Sequence, residues 1–220
     1  MSELLGDQKR YYAERAGEYD DWWYRRGRYE LSPAALARWQ ADVTEAETAL
    51  ATLMDGGSAL ELAAGTGIWT RKLVELADRV VAVDANAETL ALNTSDADLV
   101  RADVFEWRPV EGFDLVFFSF WLSHVPEERF DDFWATVRTA LAPRGVVFLL
   151  DSGAGDTAHT GIDQADWEET RSLTDGRTFR IVKRRWAPDE LAERVRPLGF
   201  ELDLRDTTNG HFVYGSGALA

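Results

Sequence analysis

The sequence predicts an α/β fold: a doubly wound, mostly parallel sheet that ends in an antiparallel hairpin and carries a helical amino-terminal cap. Three observations lead there. From Ser58 to Ser152, short β-branched or aliphatic runs alternate with helical patterns, the rhythm of parallel strands joined by crossover helices. Two of the runs, Leu115-Val116-Phe117-Phe118 and Val146-Val147-Phe148-Leu149-Leu150, are almost continuously apolar, as strands covered on both faces must be. Near the end, Phe200 to Thr207 and His211 to Gly217 flank Thr208-Asn209-Gly210, and an Asn-Gly pair between strand-like runs is the strongest short hairpin signal.

The elements follow in order. The segment up to Leu31 is rich in aromatic residues and reads as a cap on the domain. Ser32 can cap the next helix and Pro33 fits its first position; Leu36, Trp39, Val43, Leu50 and Leu53 then recur on one face until Gly56-Gly57. Strands are expected at Ser58–Ala64, Arg79–Ala85, Asp98–Asp103, Phe113–Phe120 and Gly145–Ser152. The last two are bridged by a helix from Pro126 to about Leu141, which carries Phe130, Phe133, Trp134 and Val137 and stops at Pro143-Arg144-Gly145. From Gly153 to Gly176 the chain is polar without a clear period. Thr178 to Trp186 follows, then a short helix opened by Pro188 with Leu191 and Val195 on its apolar face. With neither repeats nor a low-complexity linker, residues 1–220 are expected to form a single domain, 1–31 its cap and 58–152 its core.

Composition narrows the function. Apolar residues make up 45% of the chain and charged residues 29%, an ordinary globular balance. A net charge of -15 would repel a phosphate backbone, so nucleic acid and anionic membrane are not expected partners. No run of about 18 apolar residues is present and the first residues lack the pattern of a signal peptide, which together point to the cytoplasm. There is no cysteine, so disulfides, thiolate metal sites and Cys nucleophiles are excluded.

Leu60-Glu61-Leu62-Ala63-Ala64-Gly65-Thr66-Gly67 joins the first strand to a helix through a glycine turn, where a missing side chain lets backbone approach a ligand. Asp84 ends the second strand, placed to accept hydrogen bonds from ribose hydroxyls, and Asp103 ends the third. A lone Gly-x-Gly is more often a tight connection than a site. Here the two acidic partners at neighbouring strand ends favour a nucleotide-type ligand. Thr70 stands where a dinucleotide fingerprint would have its third glycine, and no Gly-Lys-Ser/Thr is present, so a pyrophosphate is disfavoured.

These residues resemble the first motif of class I S-adenosylmethionine-dependent methyltransferases of the small-molecule type. Phe113-Asp114-Leu115-Val116 with Phe118 and Ser119, and Leu141-Ala142-Pro143-Arg144-Gly145-Val146, are similar to later motifs of that family. The resemblance covers the chain from Tyr11 to the terminal hairpin. One departure is Ala63, where many members carry glycine. The resemblance implies a seven-stranded Rossmann-like fold and S-adenosylmethionine as methyl donor. It implies that Glu61 organises the methionine end, Gly65 and Gly67 face the donor, Asp84 holds the ribose, Asp103 and Val104 frame the adenine, and Ser119 sits beside them. Tyr12 and Tyr19, with Tyr11, are similar to lid residues of that family.

On the acceptor side, His124 follows the fourth strand and is the catalytic candidate, able to take a proton near neutral pH. A loop histidine that bonds backbone is the other reading, and both stay open. Trp121 is either core or pocket wall. Arg25, Arg26 and Arg28 could meet an acceptor carboxylate but more often serve surface ion pairs. Ser119 and Phe120 supply no carboxylate after strand four and the three histidines lack ligand spacing, so no metal is expected. The expected partner is a small-molecule methyl acceptor, with oligomeric state open. Two other classes compete: a non-catalytic S-adenosylmethionine-binding domain, and a nicotinamide-dependent oxidoreductase, the latter weakened by Thr70 and by the lack of a Tyr-x-x-x-Lys segment.

Overall fold

The computed structural model describes residues 2–153 and 167–220. Helix α1 (Ser2–Trp23) and helix α2 (Pro33–Ala51) precede an alternating core of β1 (Ser58–Leu62), α3 (Thr70–Leu76), β2 (Arg79–Asp84), α4 (Ala87–Leu90), β3 (Asp98–Arg101), β4 (Phe113–Ser119), α5 (Glu127–Ala140) and β5 (Leu141–Ser152). Then come β6 (Glu168–Ser172), β7 (Thr178–Val182), α6 (Pro188–Val195), β8 (Phe200–Asp206) and β9 (Phe212–Leu219). The seven-stranded sheet has the order β3-β2-β1-β4-β5-β9-β8. Its first five strands are parallel, while β9 runs antiparallel to both β5 and β8. The order reverses between β1 and β4, and that switch point opens a crevice at the carboxyl ends of the strands.

Side-chain alternation in the strands explains the two apolar layers. Leu115 and Phe117 of β4 face α2 and α3, together with Ala59, Val80, Phe148 and Leu150. Val116 and Phe118 face α5 and α6, together with Leu60, Val81, Val147 and Leu149. Both faces are therefore covered, which is why these strands read as unbroken apolar runs. Ser32 Oγ accepts the Ala35 N–H (3.4 Å) and caps α2, whose Trp39 and Leu50 are buried.

Three expectations shift. Strand β3 is shorter than expected, ending at Arg101, so Asp103 lies in the turn beyond it. Pro143-Arg144-Gly145 lies within β5, where Arg144 has φ +73° and the register with β4 slips between Phe113 and Leu115. The polar stretch before Gly176 contains β6, which pairs antiparallel with β7 as a separate two-stranded sheet. Asp175-Gly176, with Gly176 at φ +88°, is the turn signal that marks this hairpin. Residues 154–166, also within the unplaced stretch, lie outside the described residues.

The terminal hairpin is fixed to α2 by Asp42, which is fully buried. Its carboxylate accepts bonds from Thr207 Oγ1 (2.7 Å), Asn209 N–H and Nδ2 (3.0 and 2.7 Å) and His211 N–H (3.1 Å), with His211 Nδ1 at 2.7 Å. Burial alone would push this carboxyl up, but the bonds from Asn209, Thr207 and His211 outweigh it and hold Asp42 at about 2. Because the folded value is depressed, the stabilisation is complete above the ordinary carboxylate range and is lost as pH falls towards 2; it amounts to about 2 kcal/mol. Asp42→Ala should lower stability at pH 7 by roughly 3 kcal/mol, since several buried donors lose their acceptor. Chemical denaturation at pH 7 and pH 3 checks both: the deficit should shrink at pH 3, and an equal deficit at both would contradict the assignment.

Candidate functional site

After β1 the backbone enters the left-handed region at Ala63 (φ +57°), Gly65 (φ +56°) and Gly67 (φ +82°). Ala63 adopts this without being glycine, at a cost of roughly 1–2 kcal/mol. Asp84, at the end of β2, holds the turn. Its Oδ2 accepts the Gly65 N–H (2.9 Å), and its Oδ1 accepts the Asn86 N–H (2.8 Å) and Thr89 Oγ1 (3.2 Å). Burial nevertheless raises the Asp84 carboxyl above the usual range, against those bonds.

The two glycines differ in use. A β-carbon at Gly65 would meet nothing within 4 Å, so the floor of the crevice is open there. One at Gly67 would run into the Asn93 amide, so that glycine makes room for protein. Glu61 lies beneath the turn, fully buried, accepting the Thr70 hydroxyl (2.5 Å); Thr70 in turn accepts Asn93 Nδ2 (2.9 Å). Burial pushes Glu61 up to about 8, so at neutral pH it is mainly the uncharged acid.

Helix α1 crosses the mouth of the crevice and closes a cavity. Its floor and walls are Ala63, Gly65, Asp84, Asp103, Val104, Phe105 and Ser119, with His124 at one end. Its roof is Leu5, Gln8, Lys9, Tyr12 and Tyr19 of α1. The structure thus brings together Gly65, Asp84, Asp103, Val104, Ser119, Tyr12, Tyr19 and His124, while Glu61 and Gly67 stand behind the turn as its support. Asp103 accepts the Phe105 N–H (3.0 Å) and pairs with Lys9 (2.5 Å), linking that wall of the cavity to the roof. An apolar slot of Leu5, Val104 and Phe105 beside Asp103, a carboxylate at Asp84 and an open floor at Gly65 suit a nucleoside whose chain continues towards Thr66 and Ser119, where a smaller recess extends the cavity. These residues fit S-adenosylmethionine.

A second cavity adjoins the first and shares Tyr12, Tyr19, Phe120 and His124 with it. Arg15, Trp22, Ser152, Arg171 and Lys183 complete its walls. His124 is buried: its Nδ1–H donates to Val182 O (2.6 Å), which leaves Nε2 to accept the Tyr12 hydroxyl (2.8 Å). Burial and then the nearby Lys183 hold His124 well below its ordinary pKa, so the ring stays neutral. Tyr12 and Tyr19 are raised by burial and stay neutral phenols.

Several site residues were not visible in the sequence pattern. Gln8, on α1, donates from Nε2 to His124 O (3.1 Å) and accepts the Val182 N–H (3.0 Å), joining roof, site loop and β7. Arg15 stands inside the aromatic run, and Arg171 and Lys183 belong to the unplaced stretch and its sequel. Their spacing in sequence carries no signal, because only the β6–β7 hairpin brings them together. Tyr11 faces away from the cavities, into a small cluster with Leu173, Phe179 and Ile181. Arg25 lies over Trp39, its guanidinium 3.3 Å from the ring centroid; Arg28 pairs with Glu18; neither lines the cavities. Trp121 is both: half-buried, it lines the first cavity and packs on Phe105 and Phe133.

The glycines should separate on substitution. Gly67→Ala should lose both stability and donor binding, because the Asn93 amide must move. Gly65→Ala should cost only about 1 kcal/mol of stability, for its left-handed backbone, while weakening S-adenosylhomocysteine binding at least tenfold. Thermal melts with and without S-adenosylhomocysteine read both; equal loss of binding without any difference in stability would contradict the division.

The comparisons agree with this geometry. A family described as "Methyltransferase domain" matches residues 59–145, the span from β1 into β5. No curated protein matches the chain. Among solved structures, the DhpI–SAM–HEP complex is 36% identical, covering 99% of each chain with a TM-score of 0.81. The DhpI–SAH complex is 35% identical over 100% of this chain and 98% of that one, TM-score 0.80. A 1,6-didemethyltoxoflavin-N1-methyltransferase from Burkholderia thailandensis, at 18% identity over 100% and 90% of the chains and a TM-score of 0.68, shares the fold. A chain similar from end to end to a structure that holds S-adenosylmethionine, with a cavity shaped for that molecule, belongs to the S-adenosylmethionine-dependent methyltransferases of class I fold.

Proposed function

We propose that residues 1–220 act as one domain that transfers the methyl group of S-adenosylmethionine to a small-molecule acceptor by direct in-line displacement, without a metal. The observation that carries this reading is the pair of adjoining cavities with a shared wall, Tyr12, Tyr19, Phe120 and His124. Such a wall lets two small reactants meet end to end under one roof. The DhpI complex, solved with SAM and HEP together, supports a second compartment beside the donor. Among the described residues no group of three or more His, Asp or Glu could hold a metal, and no helix is long and apolar enough to cross a membrane.

When bound, S-adenosylmethionine supplies a methyl group whose bonding pair stays on sulfur, while the acceptor supplies the pair for the new bond. The chain's own residues must align the two and exclude water. Asp84 takes the ribose side, Asp103 and Val104 the adenine side, and Gly65 and Ser119 the path towards the sulfur. Tyr19 and Tyr12 cover it. His124 touches both compartments and is the catalytic candidate. Its low basicity and its bond from Tyr12 favour a positioning role: neutral His124 fixes the Tyr12 hydroxyl at the junction between donor and acceptor.

A label-transfer assay with S-adenosylmethionine and a metabolite panel, run in the presence of a chelator, tests the reaction class; label appearing in small molecules is the expected result, and transfer that needs an added metal contradicts it. His124→Ala should lower kcat by one to two orders of magnitude, with S-adenosylhomocysteine affinity changed less than threefold. In the intact protein the kcat profile should be flat between pH 6 and 8. A limb near pH 6.5 that disappears in His124→Ala would instead make His124 the proton acceptor.

A further inference from the structure

The second cavity has an unexpected charge. In a chain of net charge -15 it is lined by three cations, Arg15, Arg171 and Lys183, and among the described residues by no carboxylate. Resting on the reading of that cavity as the acceptor compartment, we propose that the acceptor carries an oxyanion group, a carboxylate or a phosphoryl-type group, held by Arg15 and Arg171.

Arg15 carries the argument. It is 6% exposed, and among the described residues its guanidinium has no carboxylate within ion-pairing distance. Its surroundings are tyrosines: the ring centroids of Tyr11, Tyr19 and Tyr29 lie 5.6, 5.2 and 6.0 Å away, and its one hydrogen bond reaches Tyr29 Oη at 3.3 Å. Its Nε has no partner among the described residues. Burial keeps the neighbouring phenols of Tyr12 and Tyr19 protonated, so they contribute no countercharge. A desolvated guanidinium that faces a cavity with donors unused is expensive unless an anion meets it there.

Arg171 supplies the second fork. It lies on β6 and gives one terminal nitrogen to Glu169 (2.8 Å), while its Nε too has no partner among the described residues. Lys183 is more committed: its Nζ donates to Ser123 Oγ (2.9 Å) and Ser152 Oγ (3.2 Å) and lies 3.8 Å from Asp151. It adds positive potential to the wall rather than a free donor. Two planar forks above a lysine suit the several acceptor atoms of an oxyanion. Among the described residues, a neutral acceptor without acceptor atoms at this wall would leave the Nε donors of both guanidinium groups unmet and the Arg15 charge without a counter-ion.

The test uses the full chain, with and without S-adenosylhomocysteine, titrated calorimetrically with inorganic phosphate, propionate and, as a neutral match for the latter, propionamide. Either anion should bind at one site while propionamide does not, and the preferred anion tells a phosphoryl-type acceptor from a carboxylate. Arg15→Gln and Arg171→Gln should each weaken that anion at least tenfold, with S-adenosylhomocysteine affinity within threefold of the parent. Arg15→Lys, which keeps the charge, should retain part of the anion affinity and takes the place of Arg15→Gln should that variant not fold. Binding of neither anion, binding of propionamide as tightly as propionate, or anion affinity unchanged in both glutamine variants would overturn the proposal. Failure of S-adenosylhomocysteine to bind would count against the donor site alone, because the anion titrations of the free chain are read independently.

Discussion

The site depends on an aromatic joint at the end of α1. Trp22 and Trp23 pack against Phe120, with ring centroids 5.0 and 5.7 Å away, and Trp23 also meets Trp39, Trp69 and Phe212. These rings come from α1, α2, the start of α3, the end of β4 and β9, so one contact set ties the roof to four parts of the core. Aromatic pairs contribute about 0.5–1.5 kcal/mol each beyond the area they bury. Phe120 is held there at φ +49°, a strained backbone for a non-glycine residue, and it lines both cavities. The strain is sustained by the rings of Trp22, Trp23 and Phe212 packed around Phe120.

From that joint the roof runs outwards to a second anchorage. Asp20 accepts the Thr66 hydroxyl at 2.5 Å, so the helix is also bonded to the glycine turn. Further along α1, Tyr11 packs on Leu173, Phe179 and Ile181 of the hairpin region, while Glu14 pairs with Arg177 and Glu18 takes the Thr174 hydroxyl. Gln8 closes the circuit by bonding both His124 and β7. The roof of the donor cavity and the wall of the second cavity are thus one packed body. A displacement of α1 to admit the donor would carry Arg15 with it and reshape the wall of the second cavity, because the roof and Arg15 lie on the same helix.

The donor half was legible in the sequence for a physical reason. A parallel sheet covered on both faces needs continuous apolar strands, a ligand at its switch point needs a turn without side chains, and the acidic strand ends fall at regular intervals along one crossover unit. Leu115 to Phe118, Gly65 and Asp84 each express one of these local demands. Distances along the chain there map onto distances in space. Even the roles of Glu61 and Gly67 were partly concealed, since their spacing is the same whether they face a ligand or the underside of its loop; only Asn93, 26 positions beyond Gly67, shows which.

The second cavity lacks such a rule. Arg15, Arg171 and Lys183 converge from α1, β6 and the end of β7, elements that contribute nothing to the seven-stranded sheet. The hairpin that carries two of them stands outside the main sheet, packed on α1 and bonded to the loop of Ser123 and His124, so neither hydrophobic period nor a motif fixes its sequence beyond the Asp175-Gly176 turn. This separation has a functional side. The sheet can keep one donor geometry while α1 and the hairpin change their lining residues, because such changes leave the core pairings of β1, β2 and β4 untouched. In this chain those two elements have brought positive charge into a buried compartment of a strongly acidic protein. Among the described residues the burial of Arg15 is sustained by the fold rather than by a local ion pair, and the proposed anion would supply the missing countercharge from the cavity that Arg15 faces.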